Sequence, residues 1–251
     1  MVHIVGAGCG AADLITLRGK KYLEEADVII YAGSLVNAEL LSFAKEGCEI
    51  HNSAKMTLEE ILAVITRAEA AGKMTVRLHS GDTSLYGAIA EQIREFERSG
   101  ISYDITPGVS SFAGAAAALK TEYTLPSVSQ TVIITRAAGK TPVPEREDLR
   151  QLAAHRASMV LFLSASLAKE VQEQLLEGGY PPETPAAILY RVSWEDEKIL
   201  PCTVGTLEET ARGSGIRKTA LITVGDFLNA EFTRSHLYDG RFSTEYRKAG
   251  S

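Results

Sequence analysis

No hydrophobic run in this sequence reaches the roughly 18 to 20 residues that a membrane-spanning helix needs. The chain opens on strand-like "VHIVG" rather than on a basic segment followed by an apolar one, so a secretory leader is not expected either. A cytoplasmic protein with no membrane partner is the expectation. Cysteine is scarce: Cys9, Cys48 and Cys202 are odd in number and far apart, which argues against a disulfide framework and a C-x-x-C metal site and fits a reducing compartment. Basic runs are missing as well. With a formal net charge of −6 and no Lys/Arg stripe, the chain lacks the surface that phosphate neutralisation requires, and nucleic acid is not an expected partner. His3, His51, His79, His155 and His236 show no metal-ligand spacing, and no nucleophile elbow accompanies a Ser-His-Asp order. Neither a bound metal nor a nucleophilic triad is expected, and no catalytic residue is assigned.

What is present is enough apolar material for a sizeable core. A chain of 251 residues that is 45% hydrophobic and 23% charged can form one large domain or two of ordinary size. Through the first half, "VHIVG", "VIIYA", "MTVRLH" and "ISYDITPG" read as strands. They alternate with helical "TLRGKKYLEEA", "TLEEILAVITRAEAAG", "LYGAIAEQIREFERSG" and "SSFAGAAAALK". That rhythm predicts right-handed βαβ units and a mainly parallel sheet. Thr57 and Glu60 stand at capping-box spacing, and Gly72 and Gly100 follow the last apolar positions of their helices as stop signals.

The polar stretch "KTEYTLPSVSQ" then separates an N-terminal domain (1–120) from a second one (131–238), with 121–130 as linker and 239–251 as a polar tail. The second domain reads "TVIIT", a polar loop, a helix to about His155, "SMVLFLS", a helix to Glu177, then "AAILYRV", "EKILPCTV" and "TALITVGDFL". A hairpin around Trp194 makes a mixed sheet the expectation. "EREDLR" and "EEILAVITR" read as solvated helix faces.

Three strand ends carry the chemistry-bearing residues. Gly6, Gly8 and Gly10 lie between a strand and a helix, and with Ala11 they satisfy G-x-G-x-x-A, where backbone amides can approach a ligand. A dinucleotide site also wants an acid at the end of the second strand; "DVIIYAGS" ends in Tyr31 and carries Asp27 at the wrong end, which counts against a nicotinamide cofactor. "RLHSGDTSLYGA" places Ser80, Gly81 and Asp82 at a second strand end, with an N-cap as the plain alternative for Asp82. "ITPGVSSFAGAAAAL" places Ser110 and Ser111 at a third, where plain helix packing is the alternative. Strand ends in one parallel sheet share a rim, and ligands of open α/β sheets bind there. Arg136, Lys140, Arg191 and Lys198 are cations that could meet an anionic substrate or be ordinary surface charges.

The motifs "VGAGCGAADLITLRG", "ADVIIYAGSLVNAELL", "VRLHSGDTSLYGAIAEQI", "TPGVSSFAGAAAAL", "SQTVIITRAAGKTPVPE", "LFLSASL", "YRVSWEDEKI" and "TALITVG" occur in the order found in the tetrapyrrole (corrin/porphyrin) methyltransferases of cobalamin biosynthesis. The chain resembles that family from Val2 to about Leu228, and "YAGSLVN", "TRAAGKTPVPE" and "YRVSWEDE" narrow the resemblance to the branch that methylates C-11 of precorrin-4 or cobalt-precorrin-4. It departs from the family pattern at Cys9 and Thr83, where proline is usual; altered loop rigidity is the expected effect.

The resemblance implies a two-domain α/β homodimer that binds S-adenosyl-L-methionine in the cleft between domains and takes a tetrapyrrole as substrate. Motif by motif, it implies cofactor contacts from Cys9, Ser80, Gly81, Asp82, Leu85, Ser110 and Ser111. From the second half it implies Leu163, which stands where relatives often have Met, together with Val192 and Ala220. Tyr31, Ser34, His79, Arg136 and Tyr190 are the candidates on the tetrapyrrole side. Methylation at another ring position, a nicotinamide-dependent oxidoreductase and a non-enzymatic tetrapyrrole carrier are the alternatives.

Overall fold

The computed structural model describes residues 1–229 and 231–250, the side chains of Ser34 and His236 excepted. Two compact units result. The first comprises Met1–Ala115 together with Arg191–Glu197; the second comprises Ala116–Tyr190 and the chain from Lys198 onward.

The first unit holds strands β1 (Val2–Gly6), β2 (Val28–Tyr31), β3 (Glu49–Asn52), β4 (Thr75–His79) and β5 (Tyr103–Thr106) in the order β3-β2-β4-β1-β5. Every pairing among them is parallel. Its helices are α1 (Leu17–Glu25), α2 (Leu58–Ala70), α3 (Ala90–Ser99) and α4 (Ser111–Leu119), whose last residues lie in the second unit. A parallel sheet is covered on both faces, so its central strands are apolar without alternation. Val5, Ile29, Val76 and Leu78 pack on one side, and Ile4, Val28 and Ile30 pack on the other with Ile61 and Ile65 of α2 and Phe96 of α3.

The second unit holds β6 (Val132–Arg136), β7 (Ser158–Phe162), β8 (Pro185–Tyr190), β9 (Lys198–Thr203) and β10 (Ala220–Val224) in the order β6-β7-β10-β8-β9. Only β6 and β7 run parallel; the rest of this sheet is antiparallel. Helices α5 (Leu149–Ala153), α6 (Ala168–Glu177) and α7 (Leu207–Ser214) bring Leu149, Val171, Leu175 and Leu207 against Met159, Leu161, Ile188 and Ile222. The expected parallel-then-mixed α/β architecture is therefore present. No helix among the described residues is long and apolar enough to cross a membrane.

Two elements escape the sequence pattern, and two helices are shorter than it suggests. β3 is a four-residue edge strand, "EIHN", with partly exposed residues and a single neighbour. α7 buries only Leu207 and Ala211, one turn apart. α3 starts at Ala90 rather than near Leu85 because Tyr86 and Ala88 have φ of 55° and 49°, left-handed values that a right-handed helix cannot include. α5 ends at Ala153, and Arg156 with φ of 48° completes the turn away from it.

The start of α2 is closed by the expected reciprocal pair: the Glu60 amide donates to Thr57 Oγ1 at 3.3 Å and the Thr57 amide to Glu60 Oε2 at 2.8 Å. Thr57→Ala removes one half of that pair and is expected to lower unfolding stability by about 1 kcal/mol. Urea unfolding followed by circular dichroism measures it, and ligand binding should be unchanged.

Candidate active site

The strand order sets β4, β1 and β5 side by side and parallel, so the turns that leave their C-terminal ends meet on one edge. They meet backbone to backbone. The Ala7 amide donates to the His79 carbonyl at 2.7 Å, and Gly8 and Gly81 exchange hydrogen bonds of 3.2 and 2.8 Å as an isolated antiparallel bridge. A Cβ on Gly6 would lie 2.6 Å from the Gly108 nitrogen, and one on Gly108 would lie 2.2 Å from the Gly81 carbonyl oxygen. Residues with side chains cannot make that approach.

Asp82 ties the same turns together. Its Oδ1 accepts from the Ser84 amide at 2.9 Å and from the Ser84 hydroxyl, and its Oδ2 accepts from the Gly108 amide at 2.8 Å. Partial burial raises its pKa, but the hydrogen bonds from Ser84 and Gly108 outweigh this and hold it below the usual value. Neither the plain N-cap of a helix nor a free carboxylate describes it, since α3 begins eight residues later.

Behind the rim, β4 carries two buried cationic types. Arg77 donates from Nε to Gln92 Oε1 at 3.0 Å and from Nη1 to the Ile30 carbonyl at 3.1 Å, and burial lowers its pKa to about 10. His79 is buried; desolvation, with Arg77 adding to it, lowers its pKa to about 3, so the ring is neutral. Its Nε2 and the Thr106 hydroxyl are buried without a hydrogen-bond partner. Such groups are costly to leave unpaired and are candidates for a ligand contact.

The remaining predicted residues of the first unit lie along this edge. Ser110 is buried and its carbonyl accepts from the Gly114 amide in the first turn of α4, which Ser111 opens. The nearest atoms to an ideal Cβ on Gly81, at φ of 62°, are Ser110 Cα and the Ser111 nitrogen, both 3.8 Å away. Leu85 is half-buried in the turn that Asp82 holds, and Tyr31 ends β2. Cys9 is half-buried with Sγ 3.4 Å from Ser193 Oγ. Val192, expected from the second domain, is buried in the first unit. The side chain of Ser34 lies outside the described residues.

The other four lie in the second unit. Leu163 directly follows β7, whose Leu161 pairs with Ile222, and Ala220 pairs with Tyr190. Leu163 has φ of 54° and is 66% exposed, an unusual state for a large apolar residue. Arg136 ends β6 opposite Phe162. Its guanidinium donates to the carbonyls of Ala137, Thr141 and Pro142 at 3.3, 3.1 and 2.6 Å, so it holds the "AAGKTP" loop rather than standing as a loose cation. Ser193, Trp194 and Glu197 also reach the first glycine turn or its neighbours, and the sequence signals them only through the run "YRVSWEDE". Among the described residues no cluster of His, Cys, Asp and Glu suits a metal ion.

Glycine-lined strand ends on a parallel sheet, followed by a mixed five-stranded sheet, define a two-unit α/β protein with a ligand-binding edge. The family model for tetrapyrrole (corrin/porphyrin) methylases matches residues 1–208, and the chain belongs to that family. It is 55% identical over 249 residues to the cobalt-precorrin-4 C(11)-methyltransferase of Methanocaldococcus jannaschii, covering 99% of this chain and 96% of that one. It is 47% identical over 239 residues to a precorrin-4 C(11)-methyltransferase of Mycobacterium tuberculosis, covering 94% and 95%. The solved structure of a cobalt precorrin-4 methyltransferase superimposes with a TM-score of 0.89 at 45% identity, covering 91% of this chain and 96% of that one. A uroporphyrin-III C-methyltransferase from Thermus thermophilus, solved with S-adenosylhomocysteine, gives a TM-score of 0.77 at 25% identity, covering 90% and 98%.

Two outcomes follow from this geometry. Gly108→Ala forces the turns apart and is expected to lower stability by about 1–3 kcal/mol, read as a lower urea midpoint. For His79, the unfolded imidazole takes up a proton below about 6.5, whereas the folded one resists until about 3. The folded state therefore loses stability as pH falls through that window. His79→Phe should flatten the decline, and equal pH slopes for the two proteins would refute it.

Proposed function

We propose that this chain transfers a methyl group from S-adenosyl-L-methionine to C-11 of precorrin-4, in its cobalt-containing or metal-free form. The observation that carries the reading is near-full-length identity of 55% to a relative named for that reaction. The residues present suit the cofactor. Gly81 carries no side chain where its turn faces the start of α4, and two buried polar atoms near that edge lack partners.

When bound, the cofactor supplies an activated sulfonium methyl group. The attacking atom is a ring carbon of the substrate, so the chain needs no nucleophile of its own, and positioning carries the catalysis. Ser80, Gly81, Ser110 and Ser111 orient the cofactor through backbone and hydroxyl groups, while Cys9, Leu85, Leu163, Val192 and Ala220 contribute small or apolar contacts. Asp82 acts through the turns it joins. Tyr31, Ser34, His79 and Tyr190 face the macrocycle. A neutral His79 offers a hydrogen bond there without adding charge, and Arg136 serves through the loop that it holds. The active form is a homodimer, and the three free thiols fit the cytoplasm.

Calorimetry should show S-adenosylhomocysteine binding to the purified protein, and incubation with precorrin-4 should add one methyl group, located at C-11 by NMR. No binding removes the methyltransferase reading; a methyl group elsewhere on the ring assigns a neighbouring reaction. Parallel incubations with cobalt-loaded and metal-free macrocycle identify the substrate form. Asp82→Ala should weaken binding about tenfold or more, the scale for losing hydrogen bonds to a charged group.

A further inference from the structure

The segment Arg191–Glu197 grips the first glycine turn. Ser193 Oγ accepts from the Ala11 amide at 3.0 Å and meets Cys9 Sγ at 3.4 Å. Ser193 is itself held, its amide donating to Glu197 Oε2 at 2.6 Å. A Cβ on Gly10 would fall 2.3 Å from Trp194 Cδ1 and 2.5 Å from the Val192 carbonyl oxygen, so indole and backbone lie directly on that glycine. The Arg191 guanidinium stacks over the Trp194 ring at 4.0 Å and donates to Asp196 Oδ2 at 2.7 Å, fixing the ring from its other neighbours. Arg191 and Ser193 reach these positions at φ of 48° and 64°, backbone states that L-residues adopt only when their surroundings hold them.

We infer that Ser193 is a positioning residue, locked by Glu197, which clamps the Gly8–Ala11 turn in the shape that the cofactor meets. This rests on the proposed cofactor site. An unclamped turn has to be ordered on binding, and that cost appears as lost affinity rather than as a slower chemical step.

Ser193→Gly tests it, because glycine relaxes a left-handed position while deleting the hydroxyl. The expected result is an about tenfold rise in Kd for S-adenosylhomocysteine, with KM for the methyl donor rising in step, kcat at saturation retained, and the melting temperature within about 3 °C. Without any ligand, hydrogen exchange at the Ala11 amide should accelerate, and the fluorescence of Trp194, the chain's one tryptophan, should shift. Glu197→Ala should act in the same direction, and Glu197→Gln, whose amide oxygen still accepts, should restore binding. Unchanged Kd and unchanged exchange in Ser193→Gly overturn the clamp, as does a Glu197→Gln protein no better than Glu197→Ala. If the unsubstituted protein fails to bind S-adenosylhomocysteine, the site reading falls, and exchange at Ala11 alone decides the clamp.

Discussion

The close approach of Gly108 to the Gly81 carbonyl, with Gly6 beside both, is the constraint on which the first unit's working edge depends. Neighbouring parallel strands lie about 4.8 Å apart, and the turns that leave β4, β1 and β5 must diverge toward different helices. Here they touch instead. Removing every side chain at the contact lets backbone meet backbone, and the Asp82 carboxylate then bridges the amides of Ser84 and Gly108. Partial burial raises the carboxyl's pKa, but the hydrogen bonds from the Ser84 hydroxyl and from the amides of Gly108 and Ser84 together hold it below the usual value. A charged group in this setting is a fastener for the loops rather than a reagent.

That fastening explains the character of the surroundings. His79 at the end of β4 is buried, and the desolvation that keeps it neutral follows from that burial. Arg77, one pleat earlier on the same strand face, finds the Ile30 carbonyl and Gln92 and stays charged within the core. The strand thus places a fixed cation beside an imidazole that avoids becoming a second one.

Most of this was legible in the sequence where local chemistry and fold agree. The capping pair of Thr57 and Glu60, the stop at Gly100 and the apolar runs of β1 and β4 are short-range signals, and the structure reproduces each. β3 and α7 were not legible, since one is a short edge strand and the other shows only two buried positions; tertiary packing rather than propensity decides both. The three strand-end turns could be placed on a common rim from the alternation of elements alone. That their backbones touch, that Asp82 spans two of them, and that Arg136 is engaged by its own loop are facts of distance. No pattern along the chain encodes them.

The run "SSFAGAAAAL" shows how a bland and a functional reading divide between neighbouring residues. A Cβ on Gly114 would stand 2.8 Å from Cys9 Sγ and 2.9 Å from Val192 Cγ1, so this glycine exists to admit the turn and the 191–197 segment against α4. The small residues of the helix face are packing, as its composition alone would suggest. The two serines at its start differ, for they face Gly81 of the neighbouring turn, where an ideal Cβ would lie 3.8 Å from Ser110 Cα and from the Ser111 nitrogen. Cys9 consequently has two neighbours of different kinds: a packed wall at Gly114 that fixes its volume, and the Ser193 hydroxyl, which meets its thiol and holds the turn through the Ala11 amide. A residue at this position is thus limited in size by the helix and in conformation by the clamp, and a small thiol satisfies both limits at once.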